Sequence, residues 1–120
     1  FHNDYLLVSA GKRGLHLYDQ MGSRLADQIL LPTTLPNINP DEIVTNGVTN
    51  NDGFFVAANG AAGLYVADMT PINNFNVIGR IDLNGSANFV KSVGNFIYVA
   101  NGRGGIKIIR LVRGTIHGIN

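Results

Sequence analysis

The chain repeats itself, and no other feature limits its fold as much. Ala58-Asn59-Gly60-Ala61-Ala62-Gly63 returns without a gap as Ala100-Asn101-Gly102-Arg103-Gly104-Gly105. The step from Ala58 to Ala100 is one period of the repeat. Ser9-Ala10-Gly11-Lys12-Arg13-Gly14 is a weaker copy that precedes the middle one by a slightly longer step. Across 48–68 aligned on 90–110, six of 21 pairs are identical: Val48/Val90, Phe54/Phe96, Ala58/Ala100, Asn59/Asn101, Gly60/Gly102 and Gly63/Gly105. Segments of ordinary composition would share about one, and about two with the Gly and Asn bias of this chain. A unit of about 40 residues cannot bury its apolar faces alone, so it must stack on its neighbours.

Each copy reads as strand, turn, strand. Phe54-Phe55-Val56-Ala57-Ala58 is a short apolar run of β-formers. Asn59-Gly60 is a turn signal, because both residues tolerate positive φ. Gly63 to Asp68 is the return strand, Met69 to Asn74 a loop, and Phe75 to Leu83 an alternating outer strand. Innermost strands are predicted over Ile43–Thr49 and Ala87–Ser92. Four short antiparallel strands per period of this length is the pattern of β-propeller blades. The expected fold is therefore all-β, with about two and a half blades. Residues 5–31 form a partial blade, 43–83 a full one and 87–120 another partial one. A ring takes at least about four blades, so the chain is expected to be a segment of a larger propeller or a unit completed by other chains. Alternation predicts a core between blades of Phe54, Val56, Leu64, Val66, Phe96, Tyr98, Ile106 and Ile108. Truncating a buried Ile108 to Ala would cost about 2–5 kcal/mol.

The same residues carry a family resemblance. Phe55-Val56-Ala57-Ala58-Asn59-Gly60, Gly63-Leu64-Tyr65-Val66-Ala67-Asp68, Thr70-Pro71 and Val77-Ile78-Gly79 resemble the LVIVD repeat. Ile97-Tyr98-Val99-Ala100-Asn101-Gly102 and Gly105-Ile106-Lys107-Ile108-Ile109 are similar. Asn59 and Asn101 stand where that repeat usually has Asp, and Arg110 stands where the middle unit has Asp68. The resemblance covers 43–112 well and 5–31 loosely. It implies a β-propeller of bacterial or archaeal surface or secreted proteins, mostly without assigned activity.

Composition excludes several functions. A net charge of +1 with 14% charged residues is too weakly basic for nucleic acid or an anionic membrane. The absence of cysteine excludes disulfides and thiolate metal sites. The longest apolar run, Ile29-Leu30-Leu31, is far too short to span a bilayer. Abundant Asn, Gly and Thr with little Lys and Glu suits exposed β-turns and an extracytoplasmic location.

No catalytic constellation is encoded. Gly102-Arg103-Gly104-Gly105 is glycine-rich like a phosphate loop, but a strand follows it where such a loop needs a helix N-terminus. His2, His16 and His117 are isolated from one another, whereas a metal site converges three or four ligands. The carboxylates form no spaced Asp-x-Asp-x-Asp set; calcium stays open on Asn and Asp oxygens alone. None of Ser9, Ser23, Ser86 and Ser92 lies in a Gly-x-Ser-x-Gly elbow. Residues lining the innermost strands, Asn46, Gly47, Asn88 and Lys91, include no acidic or histidine ligand. The candidate binding surface is the rim carrying Lys12, Arg13 and Arg103 with the loop from Pro32 to Asp41. That loop contributes Pro32, Pro36, Asn37, Asn39 and Asp41, and its prolines at 32, 36 and 40 stiffen it. The leading expectation is a non-catalytic module that binds or scaffolds a protein or glycan ligand beside other blades or chains. Two alternatives are part of a lactonase- or phytase-like hydrolase with its catalytic residues in other blades, and a structural array in surface assembly or adhesion.

Overall fold

The computed structural model describes residues 6–19, 25–29, 35–51, 53–68 and 76–110. The chain is all-β there, arranged as three antiparallel sheets. Strands β1 (Leu6–Ser9), β2 (Leu15–Tyr18) and β3 (Leu25–Ile29) form the first sheet. Strands β4 (Gly47–Asn51), β5 (Phe54–Ala58), β6 (Leu64–Asp68) and β7 (Asn76–Ile81) form the second. Strands β8 (Phe89–Val93), β9 (Phe96–Ala100) and β10 (Ile106–Arg110) form the third. Each sheet pairs its strands in chain order. No helix among the described residues is long and apolar enough to cross a membrane. The end of the last expected partial blade (111–120), the expected Met69–Asn74 loop and Pro32 lie outside the described residues.

The repeat holds at atomic detail. In the three β-turns the first residue's N–H donates to the fifth residue's carbonyl: Ala10 to Gly14, Asn59 to Gly63 and Asn101 to Gly105, each at 2.8 Å. The second residue is a glycine with φ of 60°, 58° and 60° at Gly11, Gly60 and Gly102. The fifth is Gly14, Gly63 or Gly105, with φ of 85°, 85° and 77°. Side chains other than Gly or Asn rarely adopt such angles, so the turn dictates the spacing of its glycines. The register shift in the return strand recurs as well, at Leu17/Tyr18 in the first sheet and at the equivalent Val66/Ala67 in the second. A bulge there adds twist to the outer strand.

The predicted innermost strands start later than expected. Thr45 and Ala87 leave their own sheet's ladder. Thr45 exchanges two main-chain hydrogen bonds with Gly11 (3.1 and 2.9 Å), and Ala87 does the same with Gly60 (2.9 and 2.8 Å). Their polar groups are satisfied across the sheet junction, so regular pairing begins only at Gly47 and Phe89.

Both faces of the middle sheet are covered, which is why β5 is apolar throughout and does not alternate. Phe55 and Leu17 are fully buried, with Leu7 and Val48 packed against them. On the other face Val56, Ala58 and Leu64 pack with Ala87, Val90, Ile97 and Val99. The expected core is half right. Val56 and Leu64 are buried and Val66 packs against their cluster. Phe54 is only half-buried, while Phe96, Tyr98, Ile106 and Ile108 are exposed, Ile106 to 75% and Ile108 to 60%. They lie on the correct face of their sheet, but among the described residues no sheet covers it. Ile108→Ala should therefore change stability by less than about 0.5 kcal/mol in this chain, read as an unchanged urea midpoint.

Candidate functional site

Three turns and two connecting loops meet on one rim. The turns place Lys12, Ala61 and Arg103 at the same position, so the middle turn has a methyl group where its neighbours carry cations. Arg13 and Arg103 are both exposed. Asn39 caps a short 3-10 turn, Pro40–Glu42, its side chain accepting from the Asp41 N–H at 3.0 Å. Pro40 sits in the first turn of that helix, where a missing N–H costs nothing.

The loop's Asp41 meets Lys12 at 2.8 Å. The hydrogen bond from Lys12, then its charge, holds the Asp41 carboxyl below the usual range. A depressed carboxyl favours the paired form above its unfolded pKa, and the pair is lost as the pH falls through its folded pKa. Both side chains are exposed, at 64% and 79%, so the contact positions the loop and adds little stability. Lys12→Met should raise the Asp41 titration midpoint toward the ordinary carboxylate value, as followed by carboxyl NMR shifts.

Beside this pair lies an open groove of about 440 Å³. Pro36, Asn37, Ile38 and Glu42 line one part, Asp82, Asn84 and Gly85 another, and Ala61 lies between the two cationic positions. Pro36 and Asn37 occupy a tight turn closed by Ile38 N–H on the Leu35 carbonyl at 3.3 Å. Asn37 has φ of 62° and Asn84 φ of 55°, the only non-glycine residues with positive φ among those described. The Asp82 carboxylate accepts from the Asn84 N–H at 3.0 Å and holds that turn. The groove is thus lined by carboxyl, amide and main-chain groups on stiff turns, a surface suited to a ligand with many hydrogen-bonding groups.

Of the predicted rim residues, the structure brings Lys12, Asn39 and Asp41 together and puts Pro36 and Asn37 in the groove wall. Arg13 and Arg103 stand on the first and third turns. Ile38 lies within the predicted loop, whereas sequence reading missed Glu42, Ala61, Asp82, Asn84 and Gly85. A signal was available: Glu42 and Asn84 are one period apart, so the repeat puts them at equivalent places in adjacent loops.

The other candidates have structural surroundings. Asn46 Nδ2 donates to the Ala87 carbonyl at 3.3 Å and reaches Asn88 Oδ1 at 3.4 Å, tying successive innermost strands together. His16 is buried with Nδ1 3.3 Å from the Tyr18 hydroxyl. Among the described residues no three His, Cys, Asp or Glu side chains stand together as a metal would need.

No family model matches the sequence, and no curated protein matches it. Solved structures do, among them two designed proteins. The computationally designed Ika4 protein has a TM-score of 0.68 at 10% identity, over 93% of this chain and 63% of its own. The computationally designed Ika8 protein has a TM-score of 0.66 at 10% identity, over 92% of this chain and 31% of its own. At that identity the likeness concerns the fold alone. The chain spans less than two thirds of the first and about a third of the second.

Proposed function

We propose that the chain is part of an LVIVD-like β-propeller and acts as a non-catalytic, extracytoplasmic binding module. Three observations support the architecture: a regular sequence period, antiparallel sheets stacked face to face, and junctions built alike. The two designed proteins add to it. Nearly the same share of this chain fits both, although it fills 63% of one and 31% of the other. A modular array fits chains of different length in this way.

The observation that carries binding is the groove, made by Ala61 standing where Lys12 and Arg103 stand in the flanking turns. Its carboxylates, Glu42 and Asp82, are both exposed. A general acid of a carboxylate pair needs a less polar setting. Asn37, Asn84, Glu42 and Asp82 favour a hydroxyl-rich ligand, a glycan, and the rim cations Lys12, Arg13 and Arg103 flank it.

Ala61→Arg tests this directly. The flanking turns already carry Lys12 and Arg103 at that position, so the variant is expected to fold normally while filling the groove. On an oligosaccharide array it should lose at least about tenfold in affinity, about one 1.4 kcal/mol step, relative to the parent chain. Equal binding by both proteins would place the site elsewhere. Replacing Lys12, Arg13 and Arg103 together by Ser should weaken the parent's binding to acidic glycans most, and salt should do the same.

A further inference from the structure

One turn of the groove wall carries a modification signal. Of the fifteen asparagines, only Asn84 has Ser or Thr two residues on, in Asn84-Gly85-Ser86. Asn-x-Ser/Thr with no Pro between is the acceptor signal for an N-linked glycan. The amide of the first residue is modified, and the hydroxyl of the third is what the transferase recognises. Asp82 stands two positions ahead of Asn84, where the stricter transferases also demand an acidic residue. So short a signal arises by chance, and its placement in the fold decides whether an enzyme can use it.

The fold puts it within reach. Asn84 lies in the connection between β7 and β8, outside both ladders. It is exposed, with φ of 55°. The Asp82 carboxylate holds its main-chain N–H, while its side-chain amide has no partner among the described residues. Asn59 and Asn101 differ: both are buried, Asn59 accepts from the Thr45 hydroxyl and Asn101 donates to the Leu83 carbonyl. Ser86 Oγ donates to Asn88 Oδ1 at 2.9 Å. Asn88 is itself exposed, so the hydroxyl can exchange that partner for a group of the enzyme at little net cost. Asn84 lines the open groove of about 440 Å³, which leaves room for the first sugar.

We propose that Asn84 is an acceptor site for an N-linked glycan. Its side-chain nitrogen attacks the anomeric carbon of an oligosaccharide carried on polyprenyl pyrophosphate. A carbon–nitrogen bond forms and the bond from that carbon to the pyrophosphate oxygen breaks. The polyprenyl pyrophosphate leaves with the electron pair, and the nitrogen gives one proton to a base of the transferase. The attached sugars would stand at the groove wall, so modified and unmodified protein present different rims. Use of the site in the cell rests on the extracytoplasmic reading, because such donors are consumed on the outer side of a membrane. The acceptor chemistry does not depend on what the groove binds.

The test uses the purified, folded chain with an unstructured acceptor tail added as an internal control. It is incubated with a detergent-solubilised transferase and a polyprenyl-pyrophosphate oligosaccharide. Intact mass should show two glycans, one on the tail and one on the peptide that contains Asn84. Ser86→Ala should lose the second glycan and Ser86→Thr should keep it. Asn84→Asp, which also tolerates positive φ, should lose it. Thermal melts compare the folding of each variant with that of the parent. A folded chain modified on its tail alone overturns the proposal. It does so even if an 80–88 peptide is modified, since the folded turn would then hide the signal. A second glycan that persists in Asn84→Asp lies elsewhere and overturns it too. Recovery of the native protein in the cytoplasmic fraction of its own cells would sink the extracytoplasmic reading, and with it the use of the site there, whatever the acceptor assay gives.

Discussion

Truncation of Phe55 to Ala is expected to destabilise the protein by about 3–5 kcal/mol. Phe55 has no exposed surface and is the largest fully buried side chain among the described residues. It lies between the first two sheets, against Leu17, Leu7 and Val48. The lost transfer energy adds to that of the cavity left behind. Two hydrogen-bonded sheets form its walls, so collapse onto the gap would require moving a ladder. A domain's whole stability is about 5–15 kcal/mol, so the variant should sit near the unfolding threshold. Urea denaturation at unchanged slope is the measurement. Phe96→Ala is the companion, because Phe96 is 44% exposed and its loss should be far smaller. Equal losses at the two positions would mean that the first two sheets do not pack as described.

Gly60→Ala should cost about 3 kcal/mol or more. A left-handed conformation costs an L-residue about 1–2 kcal/mol. The rest comes from space. A Cβ on Gly60 would overlap the Glu42 carbonyl oxygen, which already accepts from the Ala61 N–H at 2.9 Å. Relieving that overlap shifts the main chain that holds Ala61 to Glu42 and Gly60 to Ala87, and each bond lost costs about 0.5–1.5 kcal/mol. Gly11→Ala separates the two contributions. Gly11 has nearly the same φ, but a Cβ there meets nothing within 4 Å. Its cost should stay near the conformational one alone, and thermal melts of the two variants should differ accordingly. Similar melts would deny the close approach of Glu42 to the middle turn.

Much of the strand order was legible from the residues. Phe54–Ala58 and Phe96–Ala100 occur with the predicted bounds, because a short apolar run between turn residues has few alternatives as a strand. The innermost strands were read two to four residues early, since nothing local distinguishes pairing within a sheet from bridging to the previous one. The rim was legible in part. Pro36, Asn37, Asn39 and Asp41 were found through proline and asparagine turn chemistry, whereas Glu42, Asp82 and Asn84 carry no such mark and were missed.

What the amino-acid sequence determined by itself is whatever depends on neighbours along the chain. Positive φ at Gly11, Gly60 and Gly102 favours glycine locally, and the period follows from their spacing. Only the tertiary structure decided which sheet faces are covered. Phe55 and Phe96 sit in similar apolar runs, yet one is sealed and the other open, because burial depends on whether another sheet lies over that face. The Lys12–Asp41 pair and the groove over Ala61 were decided there too. Their parts come from distant stretches of the chain, and only the stacking of one sheet on the next brings them into reach.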